Sequence, residues 1–439
     1  MKKKVIAVLL ASTMLLSSLM GCSGGNTTKE EKKEGDKVAS SDEEIELNVW
    51  HIYTDSKRAE VLKNAIARFN EEYPNVKVTE VANENDPYKT KLATAMAAGE
   101  EPDIIVSWGG GWLESYIDEG KILNINDQIE EVADDYYESA LSLFEFDGQK
   151  YALPISCGPA PVYYNKQIYK DLGLEVPKTL AELEENCDKI KEAGITPFAL
   201  ANSSQWPGAL TFIWLSLRYG GKEAFLNAYN RENGGTFEDE SFIKAGHKIQ
   251  EWVEKGYYPD GYNAMNFDTG ASRMLFYGGS AAHIIQTNGM FANCTSEAPD
   301  FYENNLGIFN FPVAEDGKGN EKEILGGGNG WSITSACEHP EEAFALIRYL
   351  SDKEFSQDNV DNAGVVTGAK GVKMPNELTQ QVDDMLNSAE YIQNFYDQFL
   401  PTEMGTLHKQ TTYDIFGLTT TPEKAAADME QLGKEVLDK

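Results

Sequence analysis

The pattern that most restricts this fold is an alternation of strand-like and helix-like apolar spacing that begins at residue 45. Ile45, Leu47 and Val49 recur at every second residue, the period at which strand side chains share a face, and the run ends at Trp50-His51-Ile52-Tyr53. Asp55 then offers a helix N-cap. Val61, Leu62, Ala65, Ile66 and Phe69 return at helical spacing until Pro74-Asn75 stops the helix. Val76, Val78 and Val81 predict a second strand, and a second helix follows with Leu92, Ala95 and Met96 inward and Gly99 just past its end. Asp103-Ile104-Ile105-Val106 is a continuous apolar run, the mark of a parallel strand covered on both faces. The fold class is therefore α/β, built from β-α-β units.

Ligands of open parallel sheets bind beyond the carboxyl ends of the strands. Two such ends carry tryptophan here: Trp50, and Trp108 within Ser107-Trp108-Gly109-Gly110-Gly111-Trp112. Of seven tryptophans, Trp50, Trp108, Trp112, Trp206 and Trp331 lie in or beside Gly-, Ser-, Asn- or Pro-rich segments, whereas Trp214 and Trp252 sit in helical patterns. An indole in a loop needs a cover, and the C–H face of a pyranose is a flat apolar partner whose hydroxyls stay free to hydrogen-bond. One such face of about 100 Å² is worth about 2.5 kcal/mol before association costs, so a ligand held near -8 kcal/mol needs two or three platforms plus polar contacts. His51, Asp55, Asn83, Asp86, Asn202, Gln205, Asp268, Gln286 and Asn329 stand in loop contexts suited to supply them.

Residues 1–21 read as an export signal: Lys2, Lys3 and Lys4 precede an apolar run from Val5 to Met20 that is short and serine-interrupted for a membrane span. Its end, Leu19-Met20-Gly21-Cys22, resembles the bacterial lipobox, which implies a mature chain starting at a lipid-carrying Cys22. Residues 22–44 are almost without apolar side chains and are expected to be a disordered linker reaching on the order of 25 Å. The formal charge of -33 becomes -36 once the three signal lysines are removed, which argues against nucleic acid and against direct contact with anionic lipid. Cys157, Cys187, Cys294 and Cys337 lack CxxC or CxH spacing, and the five histidines lack ligand spacing, so no metal and no cofactor is expected. No nucleophile elbow, P-loop or SxxK set occurs. Tyr163-Tyr164 would point to opposite faces of a strand and has no acid-histidine partners for iron.

Several phrases, in order, resemble the extracellular solute-binding lipoproteins of ABC importers, in the sugar-binding branch that includes maltose-binding protein. They are Asn70-Glu71-Glu72-Tyr73-Pro74-Asn75-Val76-Lys77-Val78, Pro102-Asp103-Ile104-Ile105-Val106, and Gly148-Gln149-Lys150-Tyr151-Ala152-Leu153-Pro154 leading to Tyr163-Tyr164-Asn165-Lys166. Later come Phe276 with Gly279-Ser280-Ala281-Ala282, Gly327-Gly328-Asn329-Gly330-Trp331, His339-Pro340-Glu341-Glu342-Ala343 and Thr420-Thr421-Pro422-Glu423-Lys424-Ala425. The resemblance implies a two-lobed clamp of doubly wound α/β lobes joined by hinge crossings. One lobe would hold 45–155 plus 309–345, the other 156–308 plus 346–439. Pro154, Gly158, Pro159 and Pro161 suit one crossing and Pro312 the return, with Asp316-Gly317-Lys318-Gly319-Asn320 expected as a hairpin turn.

By position, the resemblance places ligand contacts on Trp50, Tyr53, Trp108, Tyr163, Trp206, Asp268, Asn329 and Trp331, to which the loop reading adds His51, Asp86 and Gln286. It implies a monomeric, non-catalytic receptor on the extracytoplasmic face of a Gram-positive cell membrane. Such a receptor would be held there by its lipid alone and would pass an oligosaccharide or other small neutral solute to permease subunits. The chain departs from the family where an aromatic residue is usual and Gln286-Thr287-Asn288-Gly289-Met290 stands instead, which suggests a subsite that hydrogen-bonds or stays open for a longer ligand. Rival readings are an exported glycoside hydrolase, which needs two carboxyl groups across one bond, and a clamp for a polyamine, peptide or osmolyte.

Overall fold

The computed structural model describes residues 44–438; the expected signal segment, Cys22 and all but the last residue of the linker lie outside them. β1 (Ile45–His51) leads through α1 (Ser56–Glu72) to β2 (Val76–Ala82), then through α2 (Asn85–Ala98) to β3 (Ile104–Trp108). β1 lies between β2 and β3 and is parallel to both. The local chemistry follows the sequence: Asp55 caps α1 by accepting from Arg58 N–H, and Gly99 ends α2 at φ 72°, where a side chain would be strained. All five residues of β3 are buried, as its unbroken apolar run requires.

Two sheets organise these residues. The six-stranded sheet adds to β1–β3 the strand Glu323–Ile333, antiparallel to β3, together with Leu153–Pro159 and Tyr391–Gln393, which both pair with Glu323–Ile333. The four-stranded sheet runs Leu306–Phe309, Val162–Asn165, Ala281–Ile285, Thr196–Phe198, with only the last pair parallel. Leu47, Val49, Phe69, Ile105 and Trp331 share the core of the first sheet, while Phe198, Trp214, Trp252 and Phe311 share that of the second.

The chain leaves the first sheet at Pro159 and enters the second at Val162, then returns between Phe309 and Glu323. The long helix Trp206–Asn230 pins both passages. Trp214 Nε1 donates to the Ala160 carbonyl at 2.7 Å, and the buried Arg218 guanidinium donates to the carbonyls of Phe311, Asn320 and Glu323 at 2.6–2.9 Å.

Two expectations change. Residues 316–320 do not turn a hairpin, because Leu306–Phe309 and Glu323–Ile333 belong to different sheets; instead Lys318 and Gly319 N–H donate to the carbonyls of Tyr219 and Arg218 on the long helix. The helix Lys353–Ala363, expected in the second lobe, packs on α1 and puts Phe355 into the first core, where Arg68 also grips Asp352 at 2.9 Å. An amphipathic helix joins whichever apolar face is free, and α1 offers one. The four described cysteines are buried and free. No helix among the described residues is long and apolar enough to cross a membrane.

Candidate functional site

A cavity of about 330 Å³ lies beyond the ends of β1 and β3. The strand end gives Tyr53 and Trp108, the middle of Glu323–Ile333 gives Gly327, Gly328 and Asn329, and the loop after Ala281–Ile285 gives Gln286 to Met290. Trp206 enters from the start of its helix. Gln205, just before it, holds φ 66° and ψ -42°, a strained cap whose side chain is tied to Gln410 at 2.8 Å. The indole of Trp206 meets the edge of Phe267 at 4.6 Å, and Trp108 is walled edge-on by Trp112 at 5.1 Å. Asn359 from Lys353–Ala363 and Gln398 from Tyr396–Phe399 complete the lining.

The polar side chains divide into partnered and unpartnered sets. Arg58 is neutralised by Asp55 at 2.6 Å and lies over the Tyr53 ring at 4.8 Å; Arg273 is held by both carboxylate oxygens of Glu297 at 2.7 and 2.9 Å. Lys89 places its ammonium 4.4 Å from the Trp108 ring centre. By contrast Asn359 and Gln398 are only 3 and 8% exposed, yet Asn359 Oδ1 and Gln398 Oε1 are buried without a protein hydrogen-bond partner, and Gln286, 3% exposed, lines the same cavity. Buried amides are rarely left so, since desolvating one without a partner costs about 1–3 kcal/mol. Asp268 sits at the mouth, where burial first, then Asp86 and Glu84, raise its carboxyl to about 6.

Of the residues singled out from sequence, Tyr53, Trp108, Trp206, Asp268, Gln286 and Asn329 line this cavity. Trp50 and Asp86 line an adjoining groove instead. Three lie elsewhere. His51 is buried, accepts from Tyr53 N–H at 3.2 Å, and is pushed down to about 4 by burial and by Arg58, so it is a neutral prop for the strand end. Tyr163 is fully buried and donates to the Thr287 carbonyl at 3.0 Å, which fixes the loop bearing Gln286. Trp331 is fully buried and donates to the Leu350 carbonyl at 3.0 Å.

Among the other loop polars, Asn202 accepts from Gly208 N–H and supports the start of the long helix. The sequence reading missed Lys89, Phe267, Asn359 and Gln398. The run Phe395-Tyr396-Asp397-Gln398-Phe399, aromatics around one amide, was the available signal for the last. Among the described residues no histidine, cysteine and carboxylate cluster could hold a metal.

Two α/β units around one cavity lined by indoles and unpartnered amides define a solute-binding clamp. The chain belongs to the bacterial extracellular solute-binding protein family, whose model matches residues 54–355. That is a binding family and not a catalytic one. An ABC transporter extracellular-binding protein of Pyrococcus horikoshii is 30% identical over 229 residues, a match spanning 48% of this chain and 52% of that protein. The multiple sugar-binding protein of Streptococcus mutans is 25% identical over 350 residues, 76% of this chain and 78% of its own. A solved structure from work on xylan utilisation by Caldanaerobius polysaccharolyticus superimposes with a TM-score of 0.83 at 26% identity, covering 88% of this chain and all of that one. A maltose-bound MalE3 from T. maritima gives a TM-score of 0.74 at 19% identity, covering 90% of this chain and all of that one, a likeness of fold.

Proposed function

We propose that this protein captures a neutral sugar, in the form of an oligosaccharide, and hands it to the permease of an ABC importer. The observation that carries this reading is the lining itself: the buried, unpartnered amide oxygens of Asn359 and Gln398, with the Gln286 amide, beside the indoles of Trp108 and Trp206. Amides exchange donors and acceptors with hydroxyls, indoles cover C–H faces, and the cavity's cations are already engaged, Arg58 by Asp55, Arg273 by Glu297 and Lys89 by the Trp108 ring, which suits a neutral ligand. The name of the Streptococcus relative and the xylan context of the Caldanaerobius structure support a saccharide.

Ligand contacts on this reading are Tyr53, Trp108, Trp206, Asp268, Gln286 and Asn329, joined by Asn359 and Gln398. The lobes divide as 45–155 with 309–345 and 156–308 with 346–439, except that Lys353–Ala363 travels with the first and that residues 156–159 and Tyr391–Gln393 pair within the first sheet. Closure of such lobes traps the ligand. A lipid on Cys22 would keep the receptor, a monomer, at the outer membrane face and raise its concentration at the permease.

The test is thermal stabilisation against a saccharide panel, with the mixtures assayed for cleavage products. Stabilisation without cleavage is expected; product release, or no stabilisation by any saccharide, overturns the reading. Glu84, Asp86 and Asp268 at the mouth favour a cationic ligand such as a polyamine as the second reading. Affinity that weakens steeply with salt would decide for it. For the anchor, Cys22→Ala is expected to leave binding intact and reduce uptake; equal uptake by the freely secreted variant would count against it.

A further inference from the structure

The cavity does not end at its mouth. Glu84, Asp268 and Thr269 line both it and an open groove of about 1120 Å³ that runs along the outer side of α2. The floor of that groove is apolar and flat: the half-buried indole of Trp50 at the end of β1, with Pro87, Ala95 and Ala98 beside it. Its rim is polar, with Thr90 and Thr94, whose hydroxyls donate to carbonyls of α2, beside Asn266 and the carboxylates of Glu84, Asp86, Glu100 and Asp268. Lys91 rests its ammonium 4.1 Å from the Trp50 ring centre, held by the ring's electron-rich face and free to lift on a flexible stem.

An apolar floor between polar rims suits a sugar ring, which is apolar on its C–H face and polar at its edge. The enclosed cavity, at about 330 Å³, lies at the small end of the ~300–1,000 Å³ common for small-molecule sites. Resting on the saccharide reading above, we infer that the ligand is a chain longer than the cavity: its end is enclosed between Trp108 and Trp206, and its further units leave past Asp268 and Thr269 to stack on Trp50. The groove is an outer subsite, and it sets preference for chain length.

Calorimetry with linear oligosaccharides of increasing length, drawn from the series that stabilises the wild type, tests this on the wild type, Trp50→Ala and Trp206→Ala. Wild-type affinity should rise with each added unit and then level off. Trp50→Ala should keep the affinity for the shortest ligand that binds and lose about tenfold for the longest, flattening the length dependence. Trp206→Ala should weaken short and long ligands alike. If Trp50→Ala leaves the length dependence unchanged, or weakens short and long ligands equally, the outer subsite is overturned while the saccharide reading stands. If no saccharide binds the wild type, both fall. Circular dichroism of Trp50→Ala before titration separates loss of a contact from loss of fold.

Discussion

Trp331 Nε1 donates to the main-chain oxygen of Leu350 at 3.0 Å, and its indole meets the edge of Tyr53 at 6.1 Å. A tryptophan two residues from the cavity-lining Asn329 is thereby a strut of the first core: the strand keeps regular register with β3, so the two side chains share a face, but the Trp331 ring is covered by Tyr53 and buried. The register shift against Leu153–Pro159 falls at Ile155 of that neighbouring strand and leaves Trp331 in place. Trp331→Phe should therefore cost about 2 kcal/mol in denaturant unfolding, from lost area and one hydrogen bond, and leave ligand affinity within about twofold. A large loss of affinity with unchanged stability would return Trp331 to the site.

Trp206 should behave in the opposite way. It is half-buried and its Nε1 has no protein partner, so little of the fold depends on it. Trp206→Ala is expected to lower affinity by about tenfold to a hundredfold while the melting temperature of the free protein moves little. Titration calorimetry beside thermal melts of the unliganded variant decides it.

Gln398 offers a test in which stability and binding part. Its Oε1 is buried without a partner, so Gln398→Leu removes a desolvation cost in the free protein and should raise its stability by up to about 1 kcal/mol. The same change should weaken ligand about tenfold, because a hydroxyl loses its amide. A destabilised variant with full affinity would show that Gln398 serves the fold.

Acid stability should depend on Glu430. Burial alone would raise its carboxyl, but the hydrogen bonds from Arg231, the Phe237 N–H and Thr236 outweigh that and bring it to about 2. Arg231 reaches both oxygens, at 2.8 and 3.0 Å. A carboxyl depressed on folding contributes stability above its unfolded value near 4.5, and loses it as pH falls towards 2. Glu430→Gln should cost about 2 kcal/mol at neutral pH and shrink in effect across that window. Melts of both proteins from pH 7 down to 2.5 measure the difference.

Asp268 carries the reverse sign. Its carboxyl is raised from 3.8 to about 6, so the folded state holds the proton more tightly and stability is lost as pH rises through that interval. Asp268→Asn should remove that part of the slope in thermal melts between pH 4 and 6.5. An unchanged slope would mean that burial, with Asp86 and Glu84 beside it, does not raise the Asp268 carboxyl in solution.

Much of the first sheet was legible because its signals are local. The period of Ile45, Leu47 and Val49, the cap at Asp55, the stop at Pro74 and the left-handed end at Gly99 each act within a few residues, and each lies where its spacing put it. The strand-end tryptophans were found for the same reason: a strand's end and an indole are both visible in a short window. Lys89, Asn359 and Gln398 were not, because α2, Lys353–Ala363 and Tyr396–Phe399 reach the cavity from separate parts of the chain.

The sequence by itself determined the α/β class and the supply of indoles, amides and acids, because periodicity, caps and composition are properties of short segments, while its ordered phrases carried the resemblance to the family. Tertiary structure decided which of those groups meet. Tyr53, Trp108 and Trp206 were brought to one cavity; His51, Tyr163 and Trp331, with the same credentials in sequence, were drawn into cores behind it. The physical reason is that an aromatic ring or an amide is covered by whatever lies nearest once the sheets have formed, and whether that cover is protein or ligand depends on packing between residues far apart in the chain.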